Sequence, residues 1–417
     1  MASKSHYRWY VCLFVFFTTV LNYMDRETLG IVAPLIQSDF HISNRQLGLL
    51  FSVFYIAYGL SVACVGEVID RVSIRLSLAL IVSWWSVVTV LTGFSRSFGQ
   101  LFGLRALLGI GEAGNWPATA RLVSMYLPPE ERTLANSIYM GGGSLGLVII
   151  QPLLVWLSML YGWRGGFVII GLLSSFWIVA WLRWFRPSRV EGMKRHDLTT
   201  DARVSSWSEI IREPRFWGLI AASFFGNSCL YFLMNWLPTF LVQDRHFKFG
   251  MKLGGIVALP FVGLDLGYLF SGLVVLKLAK SKWPTLFARR LVLIAAATLM
   301  GISMISIPYA KTDALVVALL IAATFGMAAW NSNYLCFVEE LSPSKVSAVA
   351  GVVGSAGAFG GALFLWLIGL ISEISGSFTL VFLLVGVMIW LASAGLLFTA
   401  EPQKLRPFSI EPLQTKT

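Results

Sequence analysis

The stretch LNYMDRETLG, Leu21 to Gly30, sets an aspartate, an arginine and a glutamate side by side within an apolar segment that runs from about Trp9 to Ile36. Its reading decides the fold, because everything around it has the character of hydrocarbon. The 417 residues are 57% hydrophobic and 13% charged, with a mean hydropathy of +0.74. Such a chain is too apolar to bury its greasy surface inside a water-soluble core. Apolar runs of at least ~18 residues recur along it, each long enough to cross a hydrocarbon layer of roughly 30 Å as a helix. The class is an all-α membrane protein.

Working outward from the first segment, twelve spans are predicted near residues 9–37, 45–69, 76–95, 98–126, 132–159, 163–186, 215–242, 250–278, 286–308, 313–340, 345–372 and 377–399. The long polar stretch Phe185 to Arg215 divides them into six and six. The domains are then an N-terminal six-helix bundle over 1–186, a linker over 187–214, a C-terminal six-helix bundle over 215–400 and a tail over 401–417. Within the linker, Trp207 to Arg212 reads either as a short amphipathic helix on the membrane surface or as solvated chain.

Lysine and arginine fix the expected orientation. Most of the 32 fall at ends and loops that a cytoplasmic N-terminus places in the cytoplasm, eight of them from Arg183 to Arg215 alone. Both termini and the linker are cytoplasmic on this reading, in the inner (plasma) membrane of a bacterium. One external loop, with Arg245, Lys248 and Lys252, runs against the trend. The net charge of +11 then reflects topology and contact with anionic lipid in the bilayer, not nucleic acid. The first span is too long, and too charged at its centre, for a cleavable signal peptide. Cys12, Cys64, Cys229 and Cys336 are scattered without metal-ligand spacing and read as packing. No metal or cofactor is expected, and the chain reads as a monomer.

Ionisable groups deep in spans are the informative ones, since each costs roughly 3 kcal/mol or more at the bilayer centre unless it meets a cavity or a partner. Asp25, Arg26 and Glu27 lie in the first span, Arg105 and Glu112 in the fourth, Asp265 in the eighth. Arg105, Gly109 and Glu112 share one helical face, with backbones ~10 Å apart along the axis. Asp25 and Glu27 are rotated about 200° from each other and cannot easily share a site. Asp25 and Arg26 are preferred for function, with Glu27 as a neighbour. Tyr23, Arg26 and Gly30 form a stripe, and Gly30 with Pro34 is a place for the helix to bend. The competing reading is a buried salt-bridge network that only fixes helix packing.

At these residues a resemblance is plain. LNYMDRETLGIVAP, GEVIDR after the second span, RALLGIGEAGNWPA in the fourth, FWGLIAASFFGNSCLYFLMNWLP in the seventh and LPFVGLDLG in the eighth resemble the anion:cation symporter family of the major facilitator superfamily, and within it bacterial hexuronate and aldonate transporters. The resemblance implies the major facilitator fold, twelve transmembrane helices in two six-helix halves. It implies proton coupling at Asp25 and Glu112, with Arg26 and Arg105 alternating between those acids and a substrate carboxylate. The physics agrees: burial and a nearby arginine pull a carboxylate's proton affinity in opposite directions, and guanidinium offers a carboxylate a bidentate fork. Gly66, Asp70, Arg71 and Arg75 resemble the superfamily's loop motif and imply a gate latch. Tyr231, Asn235, Gly143 and Ser144 lie where family members line the cavity.

Neutral candidates keep two readings. Tyr55 and Tyr58 suit hydrogen bonds to sugar hydroxyls or aromatic packing. Trp330, Asn331 and Asn333, in AAWNSNYLCF, suit a polyhydroxylated ligand or helix-to-helix bonds. Asp265 reads mainly as a structural partner to backbone or hydroxyl groups. The function expected is a proton-coupled symporter importing a small organic anion, a sugar acid such as hexuronate or aldonate. An efflux antiporter, or an exchanger for aromatic acids or organophosphates, is the alternative. An enzyme is disfavoured because no HExxH or paired-histidine motif appears.

Overall fold

In the computed structural model, the structure describes residues 2–127, 129–185, 207–281, 284–341 and 346–399. Helices take up nearly all of them: α1 Ala2–Phe40, α2 Asn44–Arg71, α3 Ile74–Gly93, α4 Phe98–Glu112, α5 Asn115–Tyr126, α6 Pro129–Trp184, α7 Trp207–Arg212, α8 Pro214–Gln243, α9 Met251–Lys280, α10 Thr285–Ser306, α11 Asp313–Leu341, α12 Val346–Ser375 and α13 Thr379–Thr399. The tail over 401–417 and most of the linker lie outside the described residues. The Trp207–Arg212 helix forms, with Ile210 buried and Ile211 offering its carbonyl to the Trp217 indole.

Sequence and helix count map onto each other with one correction. The fourth span, expected as a single helix over 98–126, breaks at Ala113–Gly114 into α4 and α5. Pro117 supplies the reason: it has no N–H for the carbonyl of Ala113, four residues back, and its ring crowds that carbonyl. α6 holds the fifth and sixth spans, which meet at Gly162 (φ 70°, ψ 168°), a backbone setting suited to glycine. By length and composition nine of the described helices qualify as membrane spans. α6 counts there once for two spans. α1 and the broken α4–α5 pair do not qualify, and they are the elements that carry the buried charges. Twelve spans result.

Each half packs as its own bundle. α1, α3 and both arms of α6 pack together, with α2 and α4 against them; α8, α10 and α13 pack with α9, α11 and α12. The halves meet along α1 with α8, α2 with α12 and α6 with α9. Glycines set these seams. A Cβ on Gly30 would lie 3.0 Å from the carbonyl oxygen of Met234, and one on Gly369 would lie 2.3 Å from that of Asn44. α1 continues as one helix through Pro34, and Gly30 serves its close approach to α8.

One rim is sealed by amides. Gln37 donates to Asn44 (2.7 Å), Asn44 donates to Gln243 (3.0 Å) and Ser372 (3.2 Å), and Gln243 donates back to Gln37 (3.1 Å). The Arg45 amide donates to Glu373 at 2.8 Å. These bonds join α1 and α2 to α8 and α12, so the rim is closed between the halves. Farther from it, the described bonds between halves are Ser52 donating to the Ala362 carbonyl at 2.6 Å, Asn235 to the Tyr55 hydroxyl at 3.4 Å and Ser355 to the Gly59 carbonyl at 3.3 Å, with the approach of Ser144 to Asp265.

Candidate functional site

Arg26 is the hub. It projects from the middle of α1, its Nε donating to Glu112 Oε2 at 2.8 Å and its terminal nitrogen to Asn22 Oδ1 at 3.5 Å. Aromatic rings enclose the guanidinium, with centroids at 5.2 Å for Tyr23, 5.4 Å for Phe54 and 5.0 Å for Tyr58. Rings in this position attract a cation through their quadrupole while excluding water. Glu112 is fully buried at the end of α4, where the helix stops because of the break just described.

Arg105, two turns before Glu112 on α4, has a different environment. It is 1% exposed and lies over the Phe54 ring at 5.0 Å, yet none of its three guanidinium nitrogens has a hydrogen-bond partner among the described residues. Glu112 and Glu27 act on it only at electrostatic range. A buried guanidinium with its whole fork free has the donors to accept an anion bidentately. Gly109 makes the placement possible, because a Cβ there would lie 2.3 Å from the Phe54 carbonyl oxygen, so α4 and α2 touch backbone to backbone.

The three acids of the first half separate as the helical geometry demands. Asp25 is fully buried and turns away from Arg26 into the seam of α1, α3 and α6, accepting from Ser174 Oγ at 2.8 Å with Thr89 beside it. Glu27 faces Gln151, within electrostatic reach of Arg105 and Arg26. Glu27, kept in second place by the sequence reading, therefore sits nearer the free guanidinium than Asp25 does. Asp25 and Glu112 are both sealed, and no ion pair joins Asp25 to a cation among the described residues.

Aromatic and amide groups complete the opposite wall. Tyr55 stacks on Tyr231 across the seam of the halves at 4.1 Å, and Asn235 donates to the Tyr231 carbonyl (2.9 Å) and the Tyr55 hydroxyl (3.4 Å). Asn331 donates to the Tyr268 hydroxyl at 2.9 Å. Tyr268 lies one turn beyond Asp265, whose carboxyl has Ser144 of α6 beside it. That places Asp265 with a hydroxyl partner across the seam. Tyr23, Tyr58, Tyr231, Tyr268 and Asn331 all keep partial exposure and line the surface that Arg26 and Arg105 stand behind. Tyr23 takes this position because Gly143 leaves room: a Cβ there would lie 2.9 Å from the ring.

Two expected site residues belong elsewhere. Trp330 stacks on Tyr334 and donates to Ser393 at 2.9 Å, filling the gap over Gly226. Asn333 donates to Ser271 and to the Ala329 carbonyl, each at 2.8 Å. Both hold α11 to its neighbours within the second half, because the 3.6-residue period that points Asn331 toward Tyr268 points these two away. Of the latch residues, the surroundings of Gly66 and the side chains of Asp70 and Arg71 lie outside what the structure describes. Arg75 donates to the Leu182 carbonyl, a contact within its own half. Asn22, Phe54, Gln151 and Tyr268 were not singled out from sequence. Asn22 stands one turn before Arg26, and Tyr268 one turn after Asp265, so helical spacing from the known charges was the available signal.

Comparison with known proteins agrees with this architecture. The model of the Major Facilitator Superfamily matches residues 15–288. The chain is 28% identical to the D-galactonate transporter of Escherichia coli O6:H1 over 86% of this chain and 88% of that one. It is 26% identical to the hexuronate transporter of Escherichia coli K12, over 88% of each, and 27% identical to the probable galactarate/D-glucarate transporter of Bacillus subtilis, over 96% and 94%. Among solved structures it is similar to a bacterial homolog of the human lysosomal transporter Spinster in inward-facing, occupied form, with a TM-score of 0.73 at 21% identity over 94% and 97% of the chains. The unoccupied form gives 0.70 at 20% identity over 95% and 99%.

Proposed function

The chain belongs to the major facilitator superfamily of membrane transporters, and from that premise we propose that it is a proton-coupled symporter importing a small organic anion, a sugar acid of the hexuronate or aldonate type. The free fork of Arg105 carries the reading. A buried cation that its own protein leaves without hydrogen bonds is built for a ligand that brings them, and a carboxylate does so bidentately. The hydroxyls of the partly exposed Tyr23, Tyr58, Tyr231 and Tyr268 would meet the hydroxyls of a sugar acid, while their rings pack on its C–H faces. The relatives named for galactonate, hexuronate and glucarate transport support the same substrate class.

Coupling follows from the Arg26–Glu112 pair. Arg26 holds Glu112 ionised while the pair is intact; when a substrate carboxylate competes for the guanidinium, the abandoned buried carboxylate takes a proton to shed its charge. Substrate and proton then move together as the halves rock. With the N-terminus cytoplasmic, the amide-sealed rim is external and this form opens inward, the state from which both are released. The test is uptake into proteoliposomes, screening hexuronates, aldonates, aldarates and aromatic acids under an imposed inward pH gradient. Accumulation of a sugar acid that collapses with a protonophore is the expected result. Uptake indifferent to the gradient, or a preference for cations, would overturn the proposal.

A further inference from the structure

Behind α1, away from the aromatic wall, the interior of the first half gathers polar atoms that its own chain leaves unanswered. Asp25 Oδ1, Glu112 Oε1, Asn22 Nδ2, Thr89 Oγ1, Trp85 Nε1 and Asn115 Oδ1 are each buried without a well-aligned hydrogen-bond partner among the described residues, although the Thr89 hydroxyl is turned to Asp25 and the Asn22 amide to Glu112, and all six residues are more than nine-tenths buried. They come from α1, α3, α4 and α5. A helical threonine ordinarily returns its hydroxyl to the carbonyl four residues back, as Thr92 on the same helix does to Val88 at 2.8 Å; Thr89 instead turns its hydroxyl to the Asp25 carboxyl.

Their placement links the two acids. Thr89 stands beside Asp25, and Trp85 is one turn along α3 from Thr89. Asn22 lies beside the Glu112 carboxyl and Asn115 three residues beyond it, across the helix break. Asp25 and Glu112 sense each other's charge although no bond joins them. The charged groups acting on Glu112 are Arg26 and Arg105; α3 and α6 bring to Asp25 only the Thr89 and Ser174 hydroxyls. A concentration of orphaned donors and acceptors in one interior is satisfied by buried water, which characteristically takes two to four such partners.

We propose that a string of internal waters runs behind α1 between Asp25 and Glu112, and that the transported proton passes along it from one carboxyl to the other without entering the substrate-lined surface. The proposal rests on the proton-coupled reading above. The step is a proton transfer only: the O–H bond of one carboxylic acid breaks, each intervening water or hydroxyl releases a proton as it accepts one, and an O–H bond forms on the other carboxylate. Asp25, sealed from the substrate, thereby has a route into the cycle.

Two measurements test it. Hydroxyl-radical footprinting by radiolysis of water, on the purified full-length protein, reports water held against a buried indole. Trp85 should be oxidised several-fold faster than Trp181, which is equally buried but donates its N–H to the Arg75 carbonyl at 2.9 Å. In proteoliposomes, Thr89→Val and Trp85→Phe should lose most accumulation driven by a pH gradient while keeping counterflow exchange within about twofold of the parent. Protection of Trp85 equal to that of Trp181, or full accumulation by both variants, overturns the water string. If the parent protein fails to accumulate under the gradient, the coupled-transport reading falls instead, and footprinting alone decides the hydrated interior. Footprinting needs no variant, so a variant that fails to fold leaves the decision intact.

Discussion

Arg105 and Arg26 should respond to the same substitution with opposite signs. Arg105→Met removes a guanidinium that is 1% exposed and has no hydrogen bond. Its desolvation is offset only by distant acids and the Phe54 face, so a hydrophobic side chain of similar volume should leave the substrate-free protein as stable or more stable, by up to ~1–4 kcal/mol. Arg26→Met strips Glu112 of its 2.8 Å partner and leaves a buried carboxylate alone, a loss of ~3–5 kcal/mol. Thermal unfolding in detergent without substrate reads the difference: Arg105→Met should melt at or above the parent, and Arg26→Met several degrees below. Adding substrate should raise the melting point of the parent and not of Arg105→Met, because losing a buried charge pair with the ligand costs ~2–5 kcal/mol, about 30-fold in Kd at the lower end. If Arg105→Met is destabilised as much as Arg26→Met and is still stabilised by substrate, the free fork is not the substrate receptor.

Further outcomes follow from the seams. Gly369→Ala puts a methyl where the Asn44 carbonyl oxygen would be 2.3 Å away, so the amide rim should be forced apart; a cysteine at Ser372 should then be alkylated faster by a membrane-impermeant maleimide, and an unchanged rate would contradict the packing argument. Asn333→Ala should cost ~0.6–1.7 kcal/mol of stability and leave KM unchanged, since its side chain is buried and its amide is taken up by Ser271 and the Ala329 carbonyl, whereas Asn331 is partly exposed. Asn331→Ala should do the reverse, raising KM with little change in melting temperature, and equal effects of the two would remove the distinction drawn between them.

The fold was legible because hydrocarbon thickness dictates span length, and the linker divides the spans into equal sets. The α4–α5 break was less so, although Pro117 names the carbonyl it orphans; within a window of high hydropathy one proline does not reveal whether the helix bends or stops. At the site, rotation by about 100° per residue correctly separated Asp25 from Glu27 but could not say which of them faces the second half, since that depends on how α1 sits against α6 and α8. The same period places Asn331 and Asn333 on different faces, and only the positions of Tyr268 and Ser271 show which face meets the substrate side. The orphaned nitrogens of Arg105 were beyond sequence altogether. A missing partner is a property of the packed neighbourhood.

Proton movement itself is the most direct test of the central claim that Glu112 takes up and releases a proton as Arg26 exchanges it for a substrate carboxylate, with Asp25 as the second proton site. Proteoliposomes loaded with a pH-sensitive dye, given a transported sugar acid with no imposed gradient, should acidify inside as anion and proton enter together. Asp25→Asn and Glu112→Gln should still exchange labelled substrate yet show no such acidification. Entry of substrate into the parent vesicles without a pH change, or acidification by both variants equal to the parent's, would contradict the account.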